Sequence, residues 1–105
     1  MNSERVQSLL KMIEEEGNDP FLKYALSLEY SSDIQFVGKA IETLQHIQTL
    51  HPEYLPTYYQ LAVLLKKRGE EQQALIVALR GKELAVEQGN KHTAMELEGL
   101  IEDME

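Results

Sequence analysis

The sequence contains no cysteine and no tryptophan, and its 105 residues include only three prolines. The absence of cysteine excludes disulfides, thiolate metal sites and cysteine nucleophiles. Basic residues are also scarce, because 10 lysines and arginines stand against 18 aspartates and glutamates, for a formal net charge of −8. A chain this acidic is poorly suited to binding a phosphate backbone, so we expect no nucleic-acid partner.

Long apolar runs are missing as well. No segment approaches the roughly 18 consecutive apolar residues that a membrane span needs, and Glu4, Arg5 and Lys11 interrupt any signal-like run near the start. We therefore expect a cytoplasmic protein with no membrane partner. The apolar fraction of 43% is ordinary for a folded protein, and the length allows one domain with a modest core.

Helical periodicity extends almost from end to end, and strand signals are essentially absent. Gly17, Gly69 and Gly89 each follow a periodic segment and are predicted to stop a helix. Short connections between the segments indicate antiparallel neighbours. Six helices are predicted, over residues 3–16, 20–30, 33–51, 56–69, 70–88 and 93–104.

Two of the helix starts carry specific signals. Asp19 followed by Pro20 supplies an N-cap and a first-turn proline for the second helix. Ser32 and Gln35 have the spacing of a capping box, which predicts that they open the third helix.

Small residues recur on one face of the fifth helix. Ala74, Ala78, Gly81 and Ala85 follow one another at steps of four, three and four residues, which keeps them on one side of a helix. Side chains this small allow another helix to approach closely, so the stripe predicts a helix–helix contact. The run over residues 74–79 is apolar nearly all round, which predicts cover on more than one side, with the last helix as the obvious candidate.

The chain also resembles itself at a distance of about 34 residues, which is typical of a helical solenoid. In each pair of helices, small residues stand where the two helices meet, and larger apolar residues fill the space between them. Ala40, Leu44 and Ile47 precede Ala74, Ala78 and Gly81 by 34 residues, and Leu26, Ser27 and Tyr30 precede Leu61, Ala62 and Leu65 by 35.

This pattern, with Tyr58 opening the second copy, Gly69 at its elbow and Pro52 closing the first, resembles the tetratricopeptide repeat family, in particular small two-repeat proteins of bacterial type. The resemblance implies an all-α, right-handed α-α superhelix of about six antiparallel helices in a single domain. The repeats would be residues 20–53 and 54–88, with capping helices at 1–19 and 89–105.

The pattern departs from the family in three places. Lys23 replaces a large aromatic, Val86 replaces the second closing proline, and the first elbow is one residue longer. A competing register would need three inserted residues. It aligns Phe21, Tyr24, Ala25 and Leu28 with Tyr58, Leu61, Ala62 and Leu65.

No chemistry-bearing motif stands out. The three histidines, His46, His51 and His92, are expected to be solvated or to cap helices, and there is no glycine-rich phosphate loop and no serine-nucleophile context. We expect no metal, no cofactor and no enzymatic activity.

The expected site is a surface. The resemblance implies that the first helix of each pair lines a concave groove that holds an extended peptide or a helix. Because Lys67 is the only cation at these positions, a clamp for a C-terminal carboxylate is not expected. The predicted groove residues are Phe21, Tyr24, Leu28, Tyr59, Gln60, Val63 and Lys67.

Three hypotheses follow. The first is an adaptor that binds a protein segment in the apolar groove, since aromatic side chains dominate interface energetics. The second is that a terminal helix or a second copy of the chain covers the groove. With a second copy, the chain is a homodimeric assembly unit whose groove is the dimer seam. The third, with least support, is an acidic accessory to an enzyme or to small-molecule metabolism.

Overall fold

The computed structural model describes residues 1–105 and contains six α-helices, one 3₁₀ turn and no strand. The all-α class and the number of helices are therefore confirmed. No helix has the combination of length and apolarity that crossing a bilayer requires. The helices are α1 (Ser3–Glu16), α2 (Pro20–Ser31), α3 (Val37–Leu50), α4 (Pro56–Lys67), α5 (Glu71–Glu87) and α6 (Lys91–Met104).

The chain divides into two compact units, Met1–Tyr54 and Leu55–Glu105. In the first unit α2 packs against both α1 and α3, and in the second unit α5 packs against both α4 and α6. Each unit is thus a helical pair with a terminal helix added to one member of the pair.

Most of the predicted helix ends are confirmed by backbone geometry. Gly17, Gly69 and Gly89 have φ angles of 73°, 86° and 72°, a region that residues with a Cβ rarely adopt. The Asp19 side chain accepts a hydrogen bond from the Phe21 backbone N–H at 2.9 Å, as its predicted role as N-cap requires.

The predicted capping box at Ser32 is wrong. The Ser32 hydroxyl donates to the Glu29 carbonyl at 2.7 Å and so ends α2 instead of starting α3. Asp33 caps a 3₁₀ turn over Ile34–Phe36 by accepting from the Gln35 N–H at 3.0 Å. The serine was misassigned because Ser and Asp compete for the same role, and the carboxylate one residue later is the stronger acceptor.

The last helix begins two residues earlier than predicted, at Lys91. Asn90 is its N-cap and accepts from the Thr93 N–H at 3.0 Å. Asparagine is among the best N-cap residues, which explains why the helix starts here.

The first helix docks on α2 through both apolar and polar contacts. Val6 and Leu9 are buried, whereas Leu10 is exposed. The Glu29 carboxylate accepts from the Asn2 backbone N–H at 3.1 Å and from Arg5 Nη1 at 3.3 Å. These bonds fix the start of α1 beside the end of α2.

Burial decides between the two repeat registers. The competing register fails because it pairs Phe21, 61% exposed, with Tyr58, which is fully buried, and Leu28, 42% exposed, with the buried Leu65. In the preferred register the equivalent positions share the same burial. Its buried pairs are Lys23 with Tyr58, Leu26 with Leu61, Ser27 with Ala62, and Tyr30 with Leu65.

The small-residue stripe of α5 is confirmed as a contact seam. Ala74, Ala78 and Ala85 are completely buried, and Gly81 is buried between them. A Cβ built on Gly81 would lie 2.5 Å from the Tyr58 Cβ of α4 and 3.1 Å from the Leu97 Cδ1 of α6. At Gly81, α5 therefore meets both of its neighbours with no space for one more carbon atom.

The predicted cover of α5 on more than one side, with α6 as one cover, is confirmed, although the cover is not complete. The α4 and α6 helices cover two sides, but Ile76 remains 65% exposed and Leu79 is also largely exposed. Val86, further along the helix, is 64% exposed. An apolar strip of α5 therefore faces solvent.

We expect Gly81→Ala to lower the free energy of unfolding by about 1–3 kcal/mol, because the new methyl group must displace Tyr58 or the backbone of a neighbouring helix. Gly99→Ala in α6 is the matched control. Its Cβ would meet nothing within 4 Å, so the higher helix propensity of alanine should stabilise by roughly 0.5–1 kcal/mol. Urea denaturation followed by circular dichroism measures both. If the two substitutions stabilised the protein equally, the close approach at Gly81 would make no contribution to the free energy of unfolding.

Candidate protein-interaction surface

On α2 the side chains divide between a core face and an outer face. Leu26, Ser27 and Tyr30 are buried, and the Ser27 hydroxyl donates to the Tyr24 carbonyl at 2.6 Å, which satisfies this buried polar group. The outer face carries three predicted groove residues. Phe21 and Leu28 are exposed and Tyr24 is half-buried.

The four predicted groove residues on α4 are accessible too. Tyr59, Gln60 and Val63 are half-buried and Lys67 is exposed. Lys67 lies with Lys66 in the last turn of α4, where cations interact favourably with the helix dipole. None of the seven predicted residues is part of the core.

Phe21 and Leu28 share a cleft with α1. Its volume is about 610 Å³, and Met12, Leu9 and Ala25 contribute to its apolar lining. The salt-bridged Arg5 and Glu29 also line this cleft. Helix α1 therefore leaves part of the outer face of α2 uncovered, and this part forms one wall of the cleft. The sequence predicts terminal helices that cap the array or cover the groove, and it does not predict this cleft.

Tyr24 forms an aromatic pair with a residue that sequence analysis did not select. Its ring lies edge-to-face with Tyr54, with centroids 6.1 Å apart and planes at 65°. Tyr54 is in the connection between α3 and α4, and no periodic pattern of the sequence links it to α2. Only the folding of the first unit brings the two rings together.

The pKa of Tyr54 is raised above its usual 10.0, first by burial of the phenol, then by Tyr24, and then by the negative charge of Asp19. Burial disfavours the phenolate because it removes the charge from water, and the neighbouring anions disfavour it by repulsion. Asp19 thus acts on Tyr54 as well as capping α2.

The histidines form no metal site. His46 is exposed, and His51 is the C-cap of α3, its backbone N–H donating to the Ile47 carbonyl at 2.6 Å. His92 lies 3.8 Å from Glu96 across one turn of α6, and its side chain is almost fully solvated. The structure contains no group of three or more histidine or acidic side chains placed to hold a metal ion.

No family model matches the chain, and no curated protein matches it. Solved structures do match the chain. A tetratricopeptide repeat domain protein from Salinibacter ruber matches in its solution structure with a TM-score of 0.79 and 27% identity, over 84% of this chain and 88% of that one. A crystal structure of a tetratricopeptide repeat domain protein from the same organism matches with a TM-score of 0.78 and 26% identity, over 83% of this chain and 96% of that one.

The solution structure of a protein from Bordetella parapertussis is similar in fold. It matches with a TM-score of 0.80 and 19% identity, over 94% of this chain and 85% of that one. With its two helical pairs and small-residue seam, the chain is therefore similar in fold to two tetratricopeptide repeat domain proteins. Helical repeat modules of this type typically mediate protein interactions and are generally non-catalytic.

We expect the raised pKa of Tyr54 to make the protein less stable at alkaline pH. The folded state favours the neutral phenol, so this contribution is fully present below the ordinary tyrosine pKa and is lost as pH rises through the higher folded value. Tyr54→Phe removes the titrating group and should flatten the fall of unfolding free energy above about pH 10. Asp19→Asn should lower the Tyr54 pKa without returning it to normal, since burial is the larger cause.

Chemical denaturation over a series of alkaline pH values measures the stability, and phenolate absorbance measures the titration. An identical alkaline stability profile for the parent chain and Tyr54→Phe would contradict the assigned shift.

Proposed function

We propose that this chain is a non-catalytic adaptor that binds a peptide or a helix of a protein partner in an apolar groove. The proposed contact residues are the seven predicted ones, three on α2 in the first unit and four on α4 in the second. The observation that carries the proposal is that the Phe21 side chain is 61% exposed. It lies on α2, whose other face is buried in the core. An exposed phenylalanine beside exposed Leu28 is the apolar content that a partner would cover.

The energetics favour a small number of aromatic anchors. Interfaces derive most of their binding free energy from a few residues, commonly tyrosine and tryptophan. Here Tyr24 and Tyr59 are half-buried, so each ring is held by its own unit and still presents an accessible part. A ring that is already restrained loses less entropy when a partner binds.

A homodimer in which the same groove forms the seam is the second candidate. The exposed apolar side chains of α2 would be covered by a second copy of the chain as well as by another protein. Sedimentation equilibrium over a wide concentration range distinguishes the adaptor from the homodimer, because a chain that stays monomeric at all concentrations excludes the homodimer.

Replacing Tyr24 and Tyr59 together by alanine should abolish capture of the partner, because both anchor rings are lost. The helical circular-dichroism signal should remain, since neither ring is fully buried. An affinity pull-down with the intact chain and the double variant measures the effect, and mass spectrometry of the retained protein identifies the partner.

The matched control replaces Val86 and Met95, which are 64% and 73% exposed on α5 and α6. This double alanine variant removes exposed apolar surface outside the seven groove residues, and it should keep capture intact. If the tyrosine variant still captured the partner, or if the control lost it equally, the groove assignment would be wrong.

A further inference from the structure

The α1–α2 pair of the first unit is equivalent to the α5–α6 pair of the second. In each pair, two consecutive helices pack together and are joined through a glycine with positive φ, 73° at Gly17 and 72° at Gly89. An N-cap whose side chain accepts a backbone N–H follows each glycine, Asp19 in the first pair and Asn90 in the second. Superposing the two glycines aligns α1 with α5 at a constant separation of 72 residues.

Burial supports this alignment. The buried Val6 and Leu9 of α1 then correspond to the buried Ala78 and Gly81 of α5. In the second unit, α4 and α6 both approach α5 at Gly81. Its equivalent, Leu9, lies in the lining of the cleft between α1 and α2. The cleft therefore includes the position of α1 that corresponds to the meeting point of three helices in the second unit.

The contacts of α5 show which of its sides faces α4. Lys82 forms a salt bridge with Glu98 of α6, so α6 lies on the Lys82 side of Gly81. Val77 and Leu84 stand four residues before and three residues after Gly81, which turns them to the opposite side of the helix, toward α4. Val77 is buried and Leu84 is half-buried.

On α1 the corresponding side is accessible. The equivalents of Val77 and Leu84 are Arg5 and Met12, and both line the cleft. The Arg5 side chain is 67% exposed and Met12 is 40% exposed. The side of α1 that corresponds to the α4-facing side of α5 thus borders an open cleft.

The shape of the cleft suits a helix. It is lined by four residues of α1, from Arg5 to Met12, and by five residues of α2, from Phe21 to Glu29. Both sets recur at helical spacing, so the cleft runs for about two turns along the two helices. Exposed Phe21 and Leu28 make its α2 wall apolar. An apolar furrow between two packed helices accepts the apolar stripe of a further helix.

One end of the cleft is acidic. Glu15 and Glu16 follow Met12 by three and four residues, so they continue the same side of α1, and both are exposed. At the other end, Arg5 and Glu29 neutralise each other in a salt bridge. A helix in the cleft therefore meets negative charge near the end of α1.

The charge of the chain selects between occupants. Residues 1–54 contain four basic and nine acidic side chains, and the whole chain has a formal net charge of −8. A second copy of the chain is repelled by this charge, whereas a basic segment is attracted. The complement of the cleft is a helix with an apolar stripe and a positive charge.

We propose that the cleft between α1 and α2 is the docking site for a basic amphipathic α-helix of a partner protein, which lies along α1 as α4 lies along α5. This inference rests on the proposed function, specifies the partner segment as a helix, and adds Met12 of α1 to the contact residues. The apolar stripe of the helix covers Met12, Phe21 and Leu28. Its cations lie toward Glu15 and Glu16.

The test uses three pools of fluorescein-labelled, alanine-rich peptides of 18 residues. Five positions on one helix face are randomised over leucine, methionine and phenylalanine, and the outer positions are lysine in the first pool and glutamate in the second. The third pool repeats the first with a central proline, which breaks the helix. Fluorescence anisotropy with the full chain should give an affinity for the lysine pool at least about fivefold above that for either other pool.

One pair of variants tests the apolar wall. Met12→Gln should weaken binding of the lysine pool at least about threefold, because it places an amide against the apolar stripe. Val86→Gln on α5 is the matched control, since it replaces an even more exposed apolar side chain in the second unit. It should leave the affinity unchanged. Circular dichroism should show the parent helix content for both variants.

A second pair of variants tests the acidic end. The double variant Glu15→Gln, Glu16→Gln should reduce the advantage of the lysine pool over the glutamate pool. The double variant Glu83→Gln, Glu87→Gln removes the same charge from exposed positions of α5. It should reduce this advantage less, because attraction between exposed charges weakens over about 10 Å at ordinary salt.

The outcomes separate this inference from the proposed function. Equal binding of the lysine and proline pools, lost on Tyr59→Ala, would overturn helix docking in the cleft and leave the adaptor function intact. Equal binding of the lysine and glutamate pools, or equal effects of the two double glutamine variants, would overturn the basic partner. A dimer in sedimentation equilibrium that Met12→Gln dissociates would assign the cleft to a second copy instead. Absence of binding by every pool would overturn both proposals.

Discussion

The close approach of α4 and α5 at Gly81 is the constraint on which the second unit depends. Tyr58 is fully buried there, with its Cβ 2.5 Å from where a side chain on Gly81 would begin. The absence of a side chain on one helix thus makes room for the largest buried residue of the other. Close-packed interiors tolerate little change in volume, so the two residues have to be considered as one unit. Leu97 closes the same point from α6.

The first unit meets the same requirement with different residues. At the positions equivalent to Tyr58 and Gly81 it has Lys23, with a thin aliphatic stem, and Ile47, which is fully buried. This pair combines two side chains of similar, intermediate size, where the second unit combines a large side chain with none. Cores accept such exchanges when total volume and apolar pattern are kept. This explains why the repeat is visible in spacing and burial although few residues are identical, and why sequence identity to proteins of similar fold is only 19–27%.

Features set by local sequence could be predicted, and features set by long-range folding could not. The glycine stops, the Asp19 cap and the small-residue stripe each depend on residues within a few turns. The capping error at Ser32 arose where two neighbouring residues compete for one role. Tyr54 could not be predicted as a partner of Tyr24, because 30 residues separate them and no periodic pattern connects a loop to a helix face. The second role of Asp19 was missed for the same reason.

The arrangement of α2 explains how the surface can be specialised without disturbing the fold. Its core face holds Leu26, Ser27 and Tyr30, which fix the distance to α3, and Ser27 satisfies its hydroxyl within its own helix at the Tyr24 carbonyl. Phe21 on the outer face carries none of this packing. Its replacement should cost little stability, since the side chain is mostly solvated. The side chains that pack the core and the side chains that remain exposed therefore lie on different faces of one helix. Substitutions on the outer face can leave the packing between α2 and α3 unchanged.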